Sequence, residues 1–164
     1  LIAAGHKEIG FITGSMDSPT GLERLSGYKD ALAHHGIALN NDLIVKGKWT
    51  PACGAAGVDT LLSRKVNFTA LVASNDDMAI GAMKQLHEHG VSVPAQVSVI
   101  GFDDIALAAY TIPALSSVKI PVTEMIQETI GRLIFMLGDG AFTPPKTFTG
   151  ELIQRDSVAP PASR

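Results

Sequence analysis

Four side chains in this sequence could together grip a polyhydroxylated ligand: Arg24, Trp49, Asn75 and Asp103. A guanidinium, an amide and a carboxylate can each make paired hydrogen bonds to neighbouring hydroxyls, and an indole can cover the C–H face of a pyranose. Each follows a short apolar run by a few residues. "IGFIT" leads into "GSMDSPTGLER", with Ser18, Thr20 and Arg24. "DLIVKG" leads to "KWTP", "TALVAS" to "NDD" and "QVSVIGF" to "DD". The acids Asp103 and Asp104 are adjacent, which leaves metal ligation, catalysis, capping and ligand contact open for them.

The runs at 9–13, 42–47, 69–74, 96–102 and 116–120 read as strands, and a further one is expected at 151–158. Between the first four lie stretches of helical spacing, including Leu22, Leu25, Tyr28 and Leu32, with Gly36 and Gly90 where C-terminal caps belong. Strand and helix in alternation imply an α/β fold with a parallel sheet flanked by helices. In such sheets ligands bind beyond the carboxyl ends of the strands, which is where the four side chains fall.

Plainer roles compete for each of them. Arg24 could be a solvated helix residue, and Trp49 could belong to a core or an interface. Asn75, Asp76 and Asp77 could all cap a helix. The reading adopted gives Asn75 to the ligand and Asp76 and Asp77 to capping, Asp103 to the ligand and Asp104 to the loop backbone. The histidines, His6, His34, His35, His87 and His89, lack a shared metal-binding face and are read as surface residues. The apolar set Met78, Ile80, Ala82, Met83 and Leu86 serves either a core or a subunit contact.

The final third changes rhythm. "KIPVTEMIQETIGRLIFMLGDG" carries a helix over 122–137 with Ile126, Ile130, Leu133 and Leu137 on one stripe, and Pro121 and the "TPP" at 143–145 stand on either side like two hinges.

Composition narrows the function classes. The chain has 164 residues, 46% hydrophobic composition and a net charge of −3, which suits one domain and argues against this piece gripping nucleic acid by itself. Cys53 is the single cysteine, so a reducing compartment such as the cytoplasm is the simpler expectation. No run suggests a membrane span or a signal segment. Neither a Gly-x-Ser-x-Gly elbow nor a phosphate-cradling loop follows a strand, so a binder without catalytic residues, metal or cofactor is expected rather than an enzyme. The opening "LIAAGHKEIGFITG" reads as the last turn of a helix followed by a strand, which suggests a segment upstream.

"LIAAGHKEIGFITG", "ERLSGYKDAL", "ASNDDMAIGAMKQLHEHGVSVPAQVSVIGFDDI", "PALSSVKIP" and "LIQRDSV" resemble, in order and spacing, the effector-binding domain of LacI/GalR-type bacterial repressors. The resemblance implies a two-lobed, type I periplasmic-binding-protein-like domain with a sugar, of β-glucoside kind, between the lobes. Residues 1–118 and 148–164 would belong to the C-terminal lobe and 119–147 to the N-terminal lobe. Effector contacts are implied at Arg24, Trp49, Asn75 and Asp103, with Ser18 and Thr20 nearby. Homodimer contacts are implied around Met78, Ile80 and Tyr110. Operator DNA would be bound through an N-terminal helix-turn-helix with no counterpart in these residues. A periplasmic sugar receptor of the same fold remains open, as does, more remotely, a metal-assisted hydrolase using Asp76, Asp77, Asp103 and Asp104.

Overall fold

The computed structural model describes residues 1–138, 141, 144 and 146–162. Strand β1 (Ile9–Ile12) leads to helix α1 (Pro19–His34). A 3₁₀ turn at Asn41–Leu43 precedes the short β2 (Ile44–Val45), followed by α2 (Pro51–Ser63), β3 (Ala70–Ala73), α3 (Asp76–Glu88) and β4 (Ser98–Asp103). A second 3₁₀ turn (Ala106–Tyr110) leads into β5 (Ser116–Lys119), α4 (Val122–Leu137) and β6 (Glu151–Ile153).

The six strands form one sheet in the order β2-β1-β3-β4-β5-β6. Five run parallel, and β6 returns antiparallel to β5, with Ser117 opposite Ile153 and Lys119 opposite Glu151. The chain steps outward from β1 to β2 and then back past β1 to β3. The order therefore reverses between β1 and β3, and in sheets of this kind the ligand crevice lies beyond the carboxyl ends at such a reversal.

Side-chain alternation along β1 divides the core. Ile12 faces one side of the sheet with Val58 and Leu61 of α2 and Met78, Ala82 and Leu86 of α3. Ile9 and Phe11 face the other side with Tyr28 and Leu32 of α1. Helices α2 and α3 cross closely: a Cβ on Gly54 would run into the Met78 carbonyl, and one on Gly81 into that of Pro51.

Tyr28 anchors α1. Its hydroxyl donates to the Ile9 carbonyl at 2.8 Å, its ring stacks on Phe11 with centroids 4.8 Å apart, and burial pushes its pKa up to about 12. Arg24 lies four residues earlier on the same helix face, so this anchor delivers it to the carboxyl end of the sheet. Leu22, expected on the buried stripe, is exposed instead.

Two expectations are corrected here. His6 is buried, not on the surface: its Nε2–H donates to the Ala159 carbonyl at 2.8 Å and its Nδ1 accepts from the Thr69 hydroxyl at 2.9 Å. That bond ties the first turn to the C-terminal segment. Met78, implied at a subunit contact, is fully buried between the α2 crossing and Gly47, and presents no surface to a second chain.

Helix α4 forms over the expected residues but buries none of them. Ile126, Ile130, Leu133 and Leu137 are all exposed. Thr143 and Pro145 of the expected second hinge lie outside the described residues. Among the described residues, no helix is long and apolar enough to cross a membrane.

Candidate effector-binding site

Arg24 is the centre of the site. It rises from the second turn of α1, and its Nη1 donates to the Ser74 carbonyl at the end of β3. Its Nη2 donates to Asp103 Oδ1 at the end of β4, 3.2 Å away. The guanidinium carbon lies 3.8 Å from the Phe102 ring centroid and 5.3 Å from that of Trp49. Two aromatic contacts of this kind contribute about 0.5–2 kcal/mol each when partly desolvated. They also fix the plane of the guanidinium, which leaves a directed set of donors for a ligand.

Trp49 reaches this place through an unusual backbone. Its φ is +60°, and its ring packs against Gly14, where any Cβ would collide with it. Asp103 and Asp104 also hold left-handed φ values, +108° and +54°. Three of the four described non-glycine residues with such angles therefore sit at the carboxyl edge of the sheet; the fourth, Lys65, closes α2. Each costs on the order of 1–3 kcal/mol, a strain that concentrates where side chains must be aimed.

Asp103 is partly exposed and its carboxyl is pushed above the usual range, because burial outweighs the opposing pull of Arg24. Asp104 has a different partner. Its Oδ1 accepts from Arg155 Nη2 at 2.7 Å, while Arg155 Nη1 donates to the Leu115 carbonyl. The expected role for Asp104, bonding loop backbone through its side chain, is thus corrected to an ion pair with Arg155.

The caps of α3 are also reassigned. Asn75, not an acid, is the N-cap: its Oδ1 accepts from Met78 N at 2.9 Å, and its Nδ2 donates to the Trp49 carbonyl at 3.2 Å. One Nδ2 hydrogen and one Oδ1 lone pair stay available. Asp76 is fully buried and turned away from the cap position, accepting from Ile105 N at 2.8 Å and Ser117 Oγ at 2.5 Å. Asp77 is exposed.

The structure therefore brings Arg24, Trp49, Asn75 and Asp103 together and places Ser18 and Thr20 at the start of α1. Ser18 stands at the N-cap without a side-chain capping bond, and Thr20 is exposed. Phe102 was missed by the sequence reading. An aromatic inside a strand reads as core, and only its position one residue before the acid signals otherwise.

The comparisons agree with the fold. Residues 1–158 match the family model described as a periplasmic binding protein-like domain. The transcriptional regulator AscG of Escherichia coli K12 is 75% identical over 99% of this chain, which covers 48% of that protein. The regulator GalR of the same strain is 38% identical over 99% of the chain, again covering 48%. A crystal structure of the E. coli repressor ascG superposes with a TM-score of 0.90 at 76% identity, covering 96% of this chain and 58% of that one. The cellobiose complex of the regulator CelR superposes with a TM-score of 0.91 at 32% identity, covering 96% and 48%. The chain belongs to the LacI/GalR family, in its periplasmic-binding-protein-like effector domain. It spans about half the length of the curated relatives it matches.

Proposed function

We propose that this chain is the effector-binding part of a cytoplasmic, dimeric transcriptional repressor that takes a β-glucoside-like sugar. The sugar lies between a C-terminal lobe, residues 1–118 and 148–164, and a second lobe to which 119–147 belong. Operator DNA is held by an N-terminal domain. Sugar binding changes the angle between the lobes and lowers operator affinity, by no more than its preference for one arrangement over the other. Arg24, Asn75 and Asp103 meet hydroxyls, Trp49 covers an apolar sugar face, and Ser18 and Thr20 border the opening. The chain acts by binding, with no catalytic step.

The observation that carries this reading is the convergence of Arg24, Trp49, Phe102 and Asp103 on the crevice beyond β1, β3 and β4. The cellobiose bound by the CelR relative is itself a β-linked glucoside, which favours that ligand class.

The second copy packs on the outer face of α3. Ile80, Met83, Val93 and Ile112 line an apolar groove there, with Ile112 98% and Tyr110 82% exposed. Contiguous exposed apolar surface of this kind is uncommon on a monomer.

Calorimetry of the full-length protein with salicin and cellobiose tests the sugar reading. At least one should bind, Arg24→Ala and Asp103→Asn should weaken it more than tenfold by removing charged hydrogen bonds, and operator release should follow. Unchanged binding in both variants overturns the site assignment.

A further inference from the structure

Asp76 is the acid that the proposed sugar site leaves unexplained. It is fully buried and, among the described residues, forms no ion pair, whereas Asp103 and Asp104 are paired with Arg24 and Arg155. Burying a carboxylate without a cation is costly unless its oxygens are well bonded. Here both are. Oδ2 accepts from Ile105 N and Oδ1 from Ser117 Oγ. Gly101 makes room for it, since a Cβ at that position would collide with Oδ1. Ser117 Oγ in turn accepts from Asp104 N at 3.1 Å.

The two residues that hold the ligand-bearing acid in a left-handed turn are thus bonded, on their far side, to one buried carboxylate. Asp104 is reached through Ser117, and Ile105 directly. The preceding residue, Asn75, does the equivalent for the other loop through the Trp49 carbonyl. The start of α3 therefore clamps both loops that carry the aromatic cover and the acid.

We infer that Asp76 is a positioning residue: without touching the sugar, it holds the Asp103–Asp104 turn in the geometry that aims the Asp103 carboxylate into the crevice. The inference rests on the sugar-binding reading above. A turn with two left-handed, non-glycine residues relaxes when its anchors are removed, and a binding group misplaced in this way loses affinity without losing any contact of its own.

The test uses full-length protein and compares wild type, Asp76→Ala, Asp76→Asn and Ser117→Ala. Affinity for salicin and for cellobiose is read by calorimetry, and amide exchange is followed across 103–105. Asp76→Ala should weaken binding about tenfold, the scale of one lost charged hydrogen bond, and should raise exchange at Asp104 and Ile105 selectively. Asp76→Asn keeps an acceptor for Ile105 N and should recover most of both effects, which a general loss of packing would not allow. Should Asp76→Ala fail to fold, Ser117→Ala carries the test, with affinity expected to fall about fivefold as its bonds to Asp76 and Asp104 are lost. Binding within twofold of wild type in the variant that carries the test, or no recovery by Asn where alanine weakens binding, overturns the inference. If wild type binds neither glycoside while operator binding is intact, the sugar reading itself fails, and the inference falls with it.

Discussion

Helices α3 and α4 carry similar promise in sequence and opposite outcomes in structure. Both show an apolar stripe at helical spacing. In α3 most of it is spent on the sheet and α2: Met78, Ala79, Ala82, Met83 and Leu86 are buried, and only the edge at Ile80 and Met83 borders an open groove. In α4 no residue is buried, although Ile126, Ile130, Leu133 and Leu137 form a continuous apolar side. An amphipathic pattern specifies that a helix needs a partner surface; it does not say which element supplies it. The acids show the same contrast at smaller scale: Asp76 and Asp104 are held within their own chain, while Asp103 leaves part of its carboxylate exposed.

Four measurements break or sharpen this comparison. Met78→Ala removes a fully buried side chain at the α2–α3 crossing and should cost about 2–5 kcal/mol in urea unfolding; a loss below 1 kcal/mol would mean α3 is not the core helix described. Arg155→Ala strands the mostly buried Asp104 carboxylate and the Leu115 carbonyl, and an expected loss of about 2–3 kcal/mol in the same assay checks that the brace is stabilising. His6 gives a smaller, pH-dependent effect. Burial holds its imidazole below the ordinary value of 6.5, so the folded state takes up a proton less readily than the unfolded chain. Its contribution is complete above pH 6.5 and declines as pH falls from there toward the depressed value. His6→Gln should flatten the pH dependence of the melting temperature in that window. Least of all, Ile130→Ser should shift the stability of this 164-residue chain by less than about 0.5 kcal/mol, as an exposed site does. In the intact protein the same change should cost clearly more if α4 packs against a second lobe, and equal costs in both would remove that role.

Much of the fold was legible because its signals are local. Strand and helix alternation, Pro51 at the start of α2 and the extent of α4 need no distant information. Arg24, Trp49, Asn75 and Asp103 were legible as a group for the same reason, since a parallel sheet places successive strand ends side by side. What sequence could not resolve was pairwise. His6 looks like a solvated residue until the Ala159 carbonyl, 153 positions away, is seen to accept its hydrogen bond. Three successive residues at the start of α3 can all cap, and only the closeness of Ser117 and Ile105 decides that Asp76 turns inward and leaves the cap to Asn75. Met78 and Ile80 sit on different sides of an apolar helix, and the α2 crossing alone determines that Met78 is the inner one.

The antiparallel return of β6 has a mechanical meaning. Everything between Lys119 and Glu151 is carried on two neighbouring strands cross-linked along Ser117–Ile153, Val118–Leu152 and Lys119–Glu151. Because β5 is also paired to β4 along the same residues, with Asp103 opposite Lys119, this pair is the rim of the sheet and can act like the free edge of a leaf spring. Flexing it out of plane or twisting it leaves the ladder of hydrogen bonds intact, whereas sliding one strand past the other breaks several at once. A load applied to α4 is therefore returned to the sheet as rotation about one edge, beside the turn that carries Asp103 and Asp104.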